Sequence, residues 1–117
     1  MMIRKEQMSA FAEAAATDFE NHMVVHLNKC FPAECETLQE PGVREIIRCG
    51  INRSAHYGVT TERDVCKYID LMMVFGRNFD TRADLPWASR ILNDRVLKNP
   101  TARIERLFTV AKEEQAG

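Results

Sequence analysis

Apolar residues recur at spacings of three and four along most of the chain, the period of an amphipathic α-helix. The first such stripe consists of Met8, Phe11, Ala15, Phe19, Met23 and Leu27. Together with the alanine-rich stretch 10–16, which has high intrinsic helix propensity, this stripe predicts a first helix from Lys5 to Lys29. No segment alternates apolar and polar residues over a useful length, so we expect no β-sheet.

Proline and glycine divide the next part of the chain. Pro32 begins a short helical turn over 33–38, and the sequence Glu40-Pro41-Gly42 marks a break before the second long helix. The apolar face of that helix is formed by Val43, Ile46, Ile47, Ile51 and Ala55. Gly50 lies inside it, which predicts the close approach of a neighbouring helix, and Gly58 supplies a left-handed stop.

The third predicted helix, Glu62–Phe75, is apolar on nearly every side. Thr61 and Asp64 resemble a capping box at its start, with aspartate in place of the usual glutamate or glutamine. Because only Lys67 and Asp70 interrupt its apolar surface, we expect it to be the central helix, covered either by the other helices or by a partner.

An irregular arm over 77–86 follows Gly76. A short helix then begins near Pro86, with Asp84 as its predicted cap and an apolar face of Trp87, Ile91 and Leu92. Asn99 and Pro100 predict the start of the last helix, whose end is expected to fray over 112–117. The pattern therefore predicts an all-α fold, one compact domain of five or six helices spanning 1–117.

Charge and hydropathy narrow the classes of partner that the chain could bind. The chain has 117 residues, 16 basic and 17 acidic, with a net charge of −1 and no basic stripe, which disfavours nucleic acid and membrane surfaces. No apolar run reaches the roughly 18 residues of a membrane span. The N-terminus lacks the apolar core of a secretory signal. These features predict a cytoplasmic protein of bacterial type.

Cysteine and histidine are the candidate metal ligands of this chain. The cysteines, Cys30, Cys35, Cys49 and Cys66, form no CxxC pair and are predicted to be reduced core thiols, with zinc or an oxidative bridge as the less favoured alternative. His22 and His26 lie four residues apart, in a row with Asp18 and Cys30. The row drifts about 40° per step, so only a pair could share an ion.

No third ligand occurs at a diagnostic spacing, and no HExxH motif is present. We therefore assign no metal and no cofactor, and a small metal-binding protein is only a third hypothesis. His56 is interpreted as a favourable charge at the negative end of a helix.

No catalytic motif appears: GxSxG, Walker and GxGxxG sequences are all missing, and no signature supports a Cys–His pair. We predict a protein that is not an enzyme and has no catalytic residues. The candidates for protein binding are Tyr68, Asp70, Met72, Phe79 and Trp87. Asp70 is either aimed at a partner protein or part of an ordinary surface stripe, and Lys67 is one candidate to pair with it. Trp87 could instead fill the core, whereas Phe79 is expected at an interface.

The segment from Tyr57 to Leu92 resembles short helical proteins encoded beside type VI secretion effectors. The matching elements are Tyr57-Gly58, Arg63-Asp64-Val65, Tyr68, Leu71-Met72, Gly76, Phe79-Asp80, Leu85-Pro86-Trp87 and Ile91-Leu92. The stretch 3–8 and Phe31-Pro32 also fit. The resemblance implies a co-chaperone or adaptor that binds a type VI effector or the effector's dedicated chaperone, and it assigns no catalytic or ligand residue.

The methionines, six in all, would let an exposed apolar surface adapt to an irregular client. The alternative is an immunity protein that neutralises a cognate toxin, which the balanced charge disfavours because tight inhibitors often use complementary fields. A second copy of the chain is a further candidate partner.

Overall fold

The computed structural model describes the backbone of residues 13–116 and the side chains of residues 17–115. This part of the chain contains five α-helices: α1 (Glu13–Cys30), α2 (Pro32–His56), α3 (Glu62–Phe75), α4 (Pro86–Leu92) and α5 (Pro100–Ala116). A single 3₁₀ turn, Phe79–Thr81, lies between α3 and α4. No strand occurs among residues 13–116, so the predicted all-α single domain is confirmed. The predicted start of the first helix at Lys5 lies outside the described residues.

The predicted break near Pro41 is present as a kink inside α2. Gln39 has φ 63° and ψ 167°, which are not helical values. Two helical segments therefore meet at this residue, and α2 comprises both. Pro41 lacks a backbone N–H and therefore fits the first turn of the second segment, where that group has no helical acceptor. The Gln39 side-chain amide donates to the carbonyl oxygen of Glu36 across the kink.

Helix α3 is the centre of the molecule. It packs against α2 on one side and α5 on the other, and it also contacts α1 and the 3₁₀ turn. Its inward side chains, all buried, are Val65, Tyr68, Ile69, Leu71 and Met72. The prediction of a central apolar helix is thus confirmed, and the cover comes from the chain's own helices.

Gly50 brings α2 close to α3. A Cβ at this position would overlap Cγ1 of Ile69 and would lie 3.1 Å from the sulfur of Met72. Ile69 and Met72 are both buried core residues, so the space is already filled. The predicted close approach of a neighbouring helix is therefore confirmed, and α3 is that helix.

Thr61 and Asn99 cap α3 and α5, as the sequence predicts. Thr61 Oγ1 accepts a 3.3 Å hydrogen bond from the backbone N–H of Asp64, as expected. The Asp64 carboxylate does not complete a capping box; it accepts a 2.6 Å hydrogen bond from the Thr101 hydroxyl on α5. Asn99 caps α5 through its side-chain oxygen, which accepts hydrogen bonds from the backbone N–H groups of Thr101 and Ala102.

The predicted cap of α4 is wrong. Asp84 does not cap α4, whose N-cap is Leu85; the Asp84 carboxylate instead pairs with Arg82. This local ion pair satisfies the carboxylate, which is then not available to the helix. Helix α5 includes residues up to Ala116, and the fraying expected over 112–117 stays a prediction.

Charged side chains join α1 to α2. Arg44 Nη1 lies 2.6 Å from Glu20 Oε2, and Arg48 Nε lies 2.9 Å from Glu20 Oε1. Hydrogen bonding to Arg48 lowers the pKa of Glu20; partial burial opposes this, and Arg44 adds to the lowering. The carboxylate therefore serves as an anionic bridge between two arginines of one helix and the flank of another.

No described helix is both long and apolar enough to cross a membrane.

We expect Gly50→Ala to reduce the free energy of unfolding by about 1–2 kcal/mol, because overpacking against Ile69 exceeds the gain in helix propensity. Urea denaturation measures the change. In a double-mutant cycle with Ile69→Ala, the alanine at 50 should cost less once the overlapping side chain is gone. Strict additivity of the two substitutions would contradict the packing argument.

We expect Glu20→Gln to lower stability by about 1 kcal/mol at neutral pH, because two partly exposed ion pairs are lost. A carboxylate with a lowered pKa stabilises the fold above its unfolded pKa and loses that contribution as the pH falls through its folded pKa. The loss of stability caused by Glu20→Gln should therefore shrink below pH 4.5, the ordinary pKa of a glutamate side chain. The matched control is Glu40→Gln, whose 65% exposed side chain also pairs with Arg44. A constant difference across the acid range would contradict the assignment.

Candidate functional site

Four of the five residues predicted to bind a protein lie in the core. Tyr68 and Phe79 are fully buried, Met72 is 3% exposed and Trp87 is 9% exposed. The Tyr68 and Phe79 ring centroids are 5.1 Å apart, and Trp87 meets Phe75 edge to face at 5.4 Å. The expectation of an exposed Phe79 is therefore wrong, whereas the alternative that Trp87 fills the core is confirmed.

The irregular arm folds back onto the domain because its apolar side chains have partners there. Phe79 reaches the core from the 3₁₀ turn, and Trp87 and Ala88 do so from α4. These side chains complete the wall around α3. A protein-binding role for them stays a prediction, and any surface that a partner could reach must come from other residues.

Asp70, the fifth candidate, lies at the edge of the seam between α1 and α3. Its Oδ1 is 2.8 Å from His26 Nε2, and its side chain is 23% exposed. Burial raises the pKa of this carboxyl, and the hydrogen bond from His26 opposes the increase. Lys67, the partner proposed from sequence, instead places its ammonium group 5.6 Å from the centre of the Phe108 ring.

His26 and Asp70 belong to a larger cluster of metal-ligating groups. One ligand atom each from His26, Cys66 and Asp70 lies within 4.8 Å of the others. Cys30 Sγ lies 3.9 Å from His26 Nδ1, on the other side of the imidazole ring from Asp70. We refer to His26, Cys30, Cys66 and Asp70 as the seam cluster.

Two facing helices build the seam cluster from pairs of residues four apart. His26 and Cys30 project from the last two turns of α1, and Cys66 and Asp70 project from the middle of α3. Burial, with the nearby Asp70 charge, raises the pKa of the Cys66 thiol to about 11. The thiol is thus protonated at neutral pH.

Sequence reasoning found only half of this cluster. It placed His26 and Cys30 in a row with Asp18 and His22, both of which are exposed and lie outside the group. It treated Cys66 as a core thiol, although this residue is half-buried at the seam, and it treated Cys30 likewise, although Cys30 is exposed. The available signal was the matching four-residue spacing of Cys66 and Asp70.

A second polar cluster is held together by internal hydrogen bonds. The buried Asp80 carboxylate is 2.5 Å from Arg53 Nη2 and accepts a 2.7 Å hydrogen bond from the Tyr57 hydroxyl. Burial and this hydrogen bond raise the pKa of Tyr57 to about 12. The contacts fasten the 3₁₀ turn to the end of α2, which is a structural role.

An open cleft of about 580 Å³ lies beside the connection from α4 to α5. Its lining includes His56, Asp94, Arg95, Lys98 and Arg103. Arg103 donates to the carbonyl oxygens of Leu92 and Lys98, so it holds this connection in place. His56 lies at the end of α2, where the sequence predicted it.

We expect Asp80→Asn to reduce the free energy of unfolding by about 2–4 kcal/mol, because it leaves the Arg53 guanidinium partly buried without its counter-ion. Tyr57→Phe removes a single hydrogen bond and should cost about 1–2 kcal/mol. Chemical denaturation of the two variants provides the comparison. A loss in Asp80→Asn no larger than that in Tyr57→Phe would contradict the importance of the ion pair.

No protein-family model, curated protein or solved structure matches this chain. The type VI resemblance therefore stays a prediction based on the quoted sequence motifs.

Proposed function

We propose that this chain is a non-enzymatic accessory protein, a co-chaperone or adaptor that binds a type VI secretion effector or its dedicated chaperone. The observation that carries the proposal is the outward face of α3, which presents a valine among charges of both signs. We refer to Arg63, Lys67, Asp70 and Val74 as the α3 stripe.

Helical geometry places the α3 stripe on one face. Its members are separated by four, three and four residues, so they follow one line along the helix surface. Arg63 is exposed, Lys67 and Asp70 are half-buried, and Val74 is 40% exposed. The central helix therefore has a surface that a protein partner could reach, although most of its apolar side chains face the core.

The neighbours of the stripe suit a protein contact. Phe108, which is half-buried, lies under the ammonium group of Lys67, and the half-buried Met73 precedes Val74 in the chain. Interfaces commonly combine an apolar contact with a rim of charges, and the opposite signs of Lys67 and Asp70 would favour one orientation of the client. Asp70 is the one residue that this surface shares with the candidates chosen from sequence.

The choice of client rests on the sequence motifs. Tyr68, Met72, Phe79 and Trp87 belong to the resemblance and form the packed support beneath and beside α3. In this proposal they hold the stripe in position, while the stripe contacts the effector or its chaperone. A second copy of this chain and a toxin are competing occupants.

Co-purification tests the proposal. A tagged full-length chain should retain the effector or chaperone encoded by a neighbouring gene, and Val74→Asp should weaken retention about tenfold or more, as expected for an important interface residue. The matched control is Val25→Asp on α1, because Val25 is 68% exposed and lies outside the stripe. No retained client, or equal effects of the two substitutions, would overturn the proposed surface.

A deletion strain separates the proposed role from immunity. Loss of a co-chaperone should lower effector levels and weaken killing of competitor cells. Loss of an immunity protein would instead make the strain sensitive to its siblings. Sibling sensitivity with unchanged effector levels would overturn the co-chaperone proposal.

A further inference from the structure

We propose that the seam cluster contains a Zn²⁺ site, in which His26, Cys66 and Asp70 hold one ion between α1 and α3. The inference goes beyond the proposed function and does not depend on it, because metal binding is a property of the isolated chain.

The ligand atoms of three side chains converge at the seam. His26, Cys66 and Asp70 come from two helices and are 40 or more residues apart across the seam, yet their ligand atoms lie within 4.8 Å of one another. Neighbouring ligands of tetrahedral zinc are separated by roughly 3.2–3.8 Å, given bond lengths of about 2.0–2.3 Å. Side-chain rotations that close the group by about 1 Å would therefore complete the geometry.

Cys30 lies beside this group of three. Its sulfur lies 3.9 Å from His26 Nδ1. The imidazole ring thus has a cysteine on one side and the Asp70 carboxylate, 2.8 Å from Nε2, on the other. With Nε2 bound to the ion, the Nδ1–H group can donate a hydrogen bond to the Cys30 sulfur, which would orient the ring.

The donor set favours zinc. One thiolate sulfur, one imidazole nitrogen and one carboxylate oxygen are ligand types that borderline-soft Zn²⁺ takes, whereas Ca²⁺ and Mg²⁺ require oxygen-rich sites. On coordination, the Cys66 thiol gives its proton to solvent and the thiolate sulfur bonds the metal. No oxidant or reductant is involved.

The location permits entry of an ion and gives it a structural role. The His26 side chain is 34% exposed and that of Asp70 is 23% exposed, so the cluster opens to solvent at one edge. The bound ion would join the last turns of α1 to α3. Because the metal binds the folded arrangement, it would stabilise that arrangement against unfolding.

Metal titration of the full-length chain tests the site. The chain is reduced with a phosphine, freed of metal with a chelator, and titrated with ZnCl₂ against a chromophoric zinc indicator. We expect one ion per chain and a Tm that rises with zinc concentration. Titration with CoCl₂ should produce a thiolate-to-cobalt charge-transfer band together with the visible bands of tetrahedral cobalt.

Single substitutions assign the ligands. Cys66→Ser and His26→Ala should each weaken zinc binding by at least about tenfold, the smallest loss typical even for groups that only surround a metal. The matched controls are Cys49→Ser, a half-buried thiol on α2, and His56→Ala, an exposed histidine, and both should bind zinc as wild type does. The cobalt spectrum of the unaltered chain provides an assignment that does not depend on any variant folding.

Three results would overturn the proposal. The first is zinc below about a tenth of an equivalent in the reduced protein, the level of an empty structural site. The second is a cobalt complex without thiolate bands that is lost with His22→Ala, which would assign binding to the histidine pair on α1. The third is a Cys30–Cys66 disulfide in the protein before reduction, combined with no zinc uptake after the disulfide is reduced.

Discussion

The contact of Gly50 with Ile69 sets the distance between α2 and α3, and the position of α3 determines much of the remaining structure. A helix that is apolar on most sides needs neighbours on most sides, and the missing side chain at Gly50 allows α2 to come close enough. Helix α5 covers the opposite flank, and Phe79 and Trp87 close the remaining gap. The outward face of α3 is left for charged residues and Val74.

Much of this architecture could be predicted because its signals are local. The period of the apolar residues, the Thr61 and Asn99 caps and the glycine stop at Gly58 each depend on a few neighbouring positions. The failures are tertiary. Asp84 is a residue type that commonly caps helices, but its carboxylate pairs with Arg82. The Asp64 carboxylate accepts a hydrogen bond from Thr101 on another helix. In both cases a nearby partner competes successfully with the helix end.

The candidate sites were harder to predict for the same reason. Nothing in the sequence between Cys30 and Cys66 indicates that the two residues project from facing helices. The seam cluster depends on the relative rotation of α1 and α3, which packing fixes and periodicity alone does not reveal. Phe79 illustrates the opposite case: an aromatic residue on an irregular segment is typical of an interface, but the segment folds back and buries the ring.

Helix α1 contacts the rest of the domain through an apolar face and through polar side chains on both flanks of that face. Phe19, Met23 and Leu27 enter the core, while Glu20 pairs with α2 on one flank and His26 contacts Asp70 of α3 on the other. The Glu20 contacts with α2 are ionic, whereas the packing of α3 against α2 and α5 is largely apolar. Added salt screens exposed ion pairs and leaves apolar burial largely intact. The amide hydrogens of α1 should therefore exchange with solvent more readily at high ionic strength, while those of α3 keep their protection.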